Sequence, residues 1–184
     1  MAGKTAYEAV KNYVDPLRRA ISCICDAGAL RVEGYRPRDE PHRLILGDGV
    51  PHKLKDGKAI TVGQRYQIVQ SADPDRGPWK VSITGYSYAL DDQEGLEIVA
   101  YHWHPPTGPA RPHLHVGAGS VAPNSPVEKA HLPTNRVSLE DFLRLLLTDL
   151  GVPQRRDDWP EILEGTQGLF ETWQTWPRPG QPPH

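Results

Sequence analysis

The sequence predicts an α+β fold, an antiparallel sheet packed by helices from both ends of the chain. Three observations carry that expectation. Capping boxes at Thr5-x-x-Glu8 and Ser138-x-x-Asp141 each precede an apolar stripe of 3.6-residue period. Between them lie short β-like runs separated by Gly, Pro and Asp. Within that middle stretch His-x-His occurs twice, as His102-Trp103-His104 and His113-Leu114-His115, a spacing with strand periodicity.

Taken in order, the first helix starts at Thr5 and runs through Tyr7, Val10, Val14, Leu17, Ile21 and Ile24, ending near Asp26-Ala27-Gly28. Asp15-Pro16 interrupts it, because proline lacks the amide and clashes with the preceding turn, so either a kink or two short helices is expected. Arg43–Leu46, Ala59–Val62 and Tyr66–Val69 read as strands, separated by Gly47-Asp48-Gly49, Asp56-Gly57 and Gly63. Trp79–Leu90 and Leu96–His104 form two longer strands around an Asp/Glu/Gly turn. With the histidine hairpin they make a meander. Gly117–Pro133 reads as an ordered loop carrying His131. The second helix presents Leu139, Phe142, Leu143, Leu146 and Leu150, and Gly151 and Pro153 stop it. A third begins at Pro160 with Ile162, Leu163, Leu169, Phe170 and Trp173. The expected organisation is one domain over 1–176 and a disordered Pro-rich tail over 177–184.

The histidines concentrate the chemistry. The chain has eight, and four lie between His102 and His115. Alternation puts both members of each His-x-His on one face. A hairpin closed symmetrically by the Pro/Gly-rich loop 105–112 places His104 opposite His113 and His102 opposite His115. Val99, Tyr101, Trp103, Leu114 and Val116 then face the core. Tyr86 and Tyr88 read as strand packing, and the tryptophans 79, 159, 173 and 176 as packing too.

Such a patch supports three readings. Two imidazoles can act as acid and base on a phosphodiester without a cofactor, with His102 and His115 deepest in the sheet and His104 and His113 beside them. Arg111, Arg136 and His131 are then the residues to hold the substrate phosphate. Alternatively His102, His104, His113 and His115, or His131 among them, converge on zinc or another divalent transition metal, in a catalytic centre or a non-catalytic module that binds metal or a protein partner. The third reading is a polar sheet face with no chemistry.

Composition bounds the rest. At 184 residues with 38% hydrophobic and 24% charged, the chain can bury a substantial core. Residues 1–80 hold 14 Lys/Arg against 10 Asp/Glu, whereas residues 81–184 hold 7 against 13. That asymmetry falls short of the balance of a dedicated nucleic-acid binder. No apolar run is long enough to span a membrane, and the first residues lack a secretory h-region, so a cytoplasmic protein is expected. Cys23 and Cys25 sit in what reads as helix, at a spacing unsuited to a disulfide, and are expected to be buried free thiols.

The text Tyr86-Ser-Tyr-Ala-Leu-Asp-Asp-Gln-Glu-Gly95, the two His-x-His pairs and Ser138-Leu-Glu-Asp-Phe142 together resemble the TumE family, small toxins of bacterial toxin–antitoxin pairs. The resemblance covers about a third of the chain, from Tyr86 to Gly151. Residues 1–80 have no counterpart in it, and 117–137 stand as an insertion. It implies a growth-inhibiting toxin acting on RNA, with a separate antitoxin as partner.

Overall fold

The computed structural model describes residues 2–33, 40–71, 77–105, 107, 110–120 and 130–173, with side chains to Leu169. The expected tail over 177–184, Trp176, and the side chains of Phe170 and Trp173 lie outside the described residues.

An antiparallel sheet dominates. Its strands are β1 (Ala2–Gly3), β2 (Leu30–Glu33), β3 (His42–Leu46), β4 (His52–Lys53), β5 (Ala59–Gln70), β6 (Trp79–Asp91), β7 (Glu97–Trp103), β8 (His113–Val116) and β9 (Leu132–Pro133). The path across the sheet is β2-β3-β5-β6-β7-β8-β9, with β1 on β6 and β4 on β5. Three helices, α1 (Ala6–Ile21), α2 (Leu139–Thr148) and α3 (Trp159–Trp173), cover one face. The fold is α+β, and no described helix is long and apolar enough to cross a membrane.

Burial alternates along the central strands as a half-covered sheet requires. Ile60, Val62, Gln64 and Tyr66 of β5 are buried toward the helices. Thr61, Gly63 and Arg65 are only partly buried and point to the face the helices leave open. The core joins Tyr13, Leu17 and Ile21 of α1, Tyr88 and Leu90 of β6, Val99 and Trp103 of β7, and Phe142, Leu143 and Leu146 of α2. Phe142 stacks on Tyr88 at 5.5 Å between ring centroids and meets Tyr101 edge-on at 6.1 Å. Tyr101 and Leu114 pack against this core half-buried, so the expected core face of the histidine hairpin is present.

Several local expectations need correction. Gly63 does not divide β5, because it and both its neighbours pair with β6, and Gly63 and Gln64 pair with β3 as well. Pro16 lies inside one continuous α1. That helix stops at Ile21, where Cys23 and Ile24 donate to the carbonyls of Ala20 and Ile21 in tighter turns and the Ser22 hydroxyl donates to Arg19 O at 2.6 Å. Cys23 and Cys25 therefore follow the helix, both buried and free. Tyr7 and Leu169 are exposed rather than core, and Tyr13 fills the place on the stripe.

Both N-caps form, while the partner carboxylates take other donors: Glu8 Oε2 accepts from Lys4 N and Asp141 Oδ2 from the Ser138 hydroxyl. Thr5 Oγ1 accepts from Glu8 N at 3.1 Å, and Ser138 Oγ accepts from Asp141 N at 3.0 Å. Behind α2, Glu140 is 1% exposed, with no hydrogen-bond partner on either carboxylate oxygen. Burial pushes its carboxyl up to about 7.

A candidate metal centre on the open face

The open face is best described as rows running across the strands. One row reads Arg43, Arg65, Gly85 and then His104; the next reads Ile45, Gly63, Ser87, His102, His113 and Pro133. A third passes Thr61, Ala89, Ala100 and His115, and ends at His131, which directly precedes β9. Alternation thus delivers all four hairpin histidines to one side, and β9 brings the fifth.

The register differs from the symmetric expectation by two residues. His102 pairs with His113, and Ala100 with His115, so His102 does not face His115 nor His104 face His113. A slip of two preserves every facing, so alternation alone cannot choose between these pairings. Gly117 helps to choose. A Cβ there would lie 2.0 Å from Glu97 O, so only glycine lets the chain leave β8 this close to β7. Gly117 N donates to Ile98 O at 3.1 Å and holds the observed pairing.

The five imidazoles form one cluster. Ring centroids of His102 and His115 are 5.0 Å apart, His113 and His131 4.9 Å, and His115 and His131 4.5 Å. His104 joins at 5.4 Å from His113. The deepest histidine is His113, 3% exposed, rather than the expected His102 and His115, because β9 covers β8 at that position.

Within the cluster, candidate ligand nitrogens of His113, His115 and His131 all lie within 4.8 Å of one another. His113 Nδ1 is 3.0 Å from Arg111 O. A carbonyl only accepts, so Nδ1 carries the proton and Nε2 presents a bare lone pair. That Nε2, like His115 Nε2, is buried without a partner. Zinc–nitrogen bonds of about 2.0–2.1 Å in tetrahedral geometry place ligand nitrogens roughly 3.4 Å apart, so an ion would draw these rings closer together.

Electrostatics favour the uncharged ring at His102 and at His115. Burial, then repulsion from His115, His113, His104 and His131, holds the His102 imidazole down to about 4. Burial and then His131 lower His115 as well. Ser87 Oγ is 3.3 Å from His102 Nδ1.

The remaining expected substrate residues separate from this centre. Arg111 is exposed and contributes its carbonyl. Arg136 stacks on the Trp103 ring at 3.8 Å, on the helix-covered side of β7. Tyr86 and Tyr88 are buried and stack on each other on that same side. Sequence reasoning offered His131 both as a substrate residue and as one of five possible metal ligands, and it passed over Ser87, Arg43, Arg65 and Gly85. An isolated glycine within a strand pattern, as at Gly85, is the one local signal that marked this region.

No protein-family model, curated protein or solved structure matches the chain.

Proposed function

We propose that the chain holds one divalent transition-metal ion, zinc foremost, on His113, His115 and His131, and uses it for hydrolysis of a phosphoester, RNA included. The observation that carries this reading is the convergence of three imidazoles within 4.8 Å, two of them offering buried nitrogens with no other partner. Unpartnered buried polar atoms are costly, and one ion satisfies them together. Three histidines also leave a fourth position for water, and His131 is exposed, so that position is reachable from solvent.

The chemistry is then ordinary metal-assisted hydrolysis. A bound ion lowers the pKa of its water to about 7. Held by these histidines, the ion would supply an activated water for attack on phosphorus; the bond from phosphorus to the leaving oxygen would break, and that oxygen would take up the proton the water gives up. His104, whose Nδ1 is buried and unpartnered, would be the base that carries this proton. The metal-free acid–base reading fits less well. An imidazole held at about 4, as His102 is, carries no proton to donate at neutral pH.

Elemental analysis of the purified full chain tests the proposal. It expects one equivalent of zinc, iron or nickel, lost in His131→Ala, together with hydrolysis of bis(p-nitrophenyl) phosphate that a chelator abolishes and zinc restores. Metal without hydrolysis would leave a non-catalytic metal-binding module. Absence of any metal, with none taken up on dialysis against zinc, overturns the centre.

A further inference from the structure

A cleft of about 470 Å³ adjoins the histidine cluster on the open face. Its existence follows from the rows of the sheet. Gly63 and Gly85 stand on the two central strands, so the floor between β3 and β7 carries no side chain at either position. The walls are Arg43 and Arg65 on one side, and His104 and Thr107 on the other. Gly85 matters most. A Cβ there would lie 2.7 Å from Trp103 O and 3.1 Å from Arg65 Nη2. Only glycine lets the Arg65 guanidinium lie over β6 at this position.

The charge arrangement is unusual for a sheet. Arg43 and Arg65 are directly opposite across the β3–β5 ladder. Like charges so placed destabilise a pair of strands. Glu33 offsets Arg43, with Glu33 Oε2 3.1 Å from Arg43 Nη1. Among the described residues no carboxylate pairs with Arg65, and no acidic side chain lines the cleft. Arg65 as a residue is half-buried, so its charge is less screened than on an open surface.

We propose that this cleft is an oxyanion subsite, in which the Arg65 guanidinium, backed by Arg43, grips the phosphate of a phosphoester substrate. A phosphate group directs oxygens to more than one side, so it can accept two parallel N–H bonds from Arg65 and still present an oxygen to Arg43, whose charge Glu33 only partly neutralises. A planar carboxylate turned to Arg65 has no oxygen left for Arg43. His104 belongs both to the cleft wall and to the imidazole cluster, so a phosphate seated here lies beside the three-histidine centre. The proposal rests on the reading of that centre for its role in catalysis, but the binding step depends on arginines alone.

Calorimetric titration of the full chain with phenyl phosphate and with benzoate, at low ionic strength, tests it. The metal-stripped wild-type protein should bind phenyl phosphate at least about tenfold more tightly than benzoate. Arg65→Met should weaken phenyl phosphate about tenfold or more, Arg65→Lys should recover only part, and His131→Ala should leave binding unchanged. In the wild-type protein the backbone amides of Gly63, Gly85 and Ser87 should shift during the titration, a readout needing no variant. Zinc uptake by Arg65→Met should match the wild type. Equal affinity of wild type and Arg65→Met, equal binding of benzoate, or unmoved cleft amides would overturn the subsite. Failure of zinc uptake alongside Arg65-dependent phosphate binding would remove the metal centre and leave the subsite standing.

Discussion

His131 faces His115 one position beyond the two-residue ladder between β8 and β9, with ring centroids 4.5 Å apart and planes near perpendicular. The contact joins a residue of the central hairpin to one sixteen positions later in the chain. Among the described residues the pairs His113–Pro133 and Leu114–Leu132 and the bond from Thr134 N to Pro112 O at 3.0 Å tie β9 to the sheet. A bound ion would add a further tie at the same edge, through nitrogens that have no other partner at His113 and His115.

Replacing His131 with alanine should reduce zinc affinity by at least about 100-fold, more than loss of an outer-shell partner costs. Because His131 is exposed, stability of the metal-free protein should stay within about 0.5 kcal/mol of wild type. Competition with a chromophoric chelator and urea unfolding measure the two quantities. Unchanged zinc affinity would count against His131 as a ligand.

Truncating Phe142 to alanine should cost about 3–5 kcal/mol, the range for deleting a fully buried aromatic ring. Its ring is 0% exposed and wedged against Tyr88 and Tyr101. Urea denaturation gives the value, and a midpoint equal to wild type would mean that α2 does not bury this face.

Folding stability should fall as pH rises through neutrality because of Glu140. Its folded pKa of about 7 exceeds the ordinary value of 4.5, so the folded state holds its proton more tightly. The stability it contributes is full below about pH 4.5 and is lost as pH rises through about 7. Glu140→Gln should flatten that slope and, at pH 8, raise stability by up to roughly 3 kcal/mol. A pH series of thermal unfolding on both proteins checks it, and parallel curves would refute the assignment.

Two glycine substitutions should move stability in opposite directions. Gly117→Ala forces a methyl group into Glu97 O and should cost about 1–3 kcal/mol, with weaker zinc binding as β8 is displaced. Gly165→Ala, in α3 with open space around it, should gain about 0.5–1 kcal/mol. Thermal melts of both variants provide the comparison.

The facing of the site was legible in the sequence, and its pairing was not. Alternation puts His102, His104, His113 and His115 on one side whichever even register is adopted, and nothing in a period of two distinguishes registers two apart. The choice involves a backbone approach at Gly117 that leaves no trace in hydrophobic pattern. His131 carried no periodic signal, since a ladder of two residues is too short to make one. Arg43 and Arg65 alternate correctly in their own strands, but their alignment with His104 depends on the order β3-β5-β6-β7, which requires the fold. Gly63 misled because a glycine between apolar runs usually marks a turn, whereas here it sits in a strand and leaves the cleft floor bare.

All five clustered imidazoles come from one short stretch, yet the stretch is not portable. Its strands lie against a layer to which both ends of the chain contribute. Arg155 N donates to Cys23 O at 2.7 Å and Arg156 Nη1 to Ser22 Oγ at 3.1 Å, stitching the entry to α3 onto the exit from α1. A peptide from Glu97 to Pro133 would contain every candidate ligand and lack the scaffold that aims them. Grafting this centre into another protein would therefore require the whole helix-backed sheet.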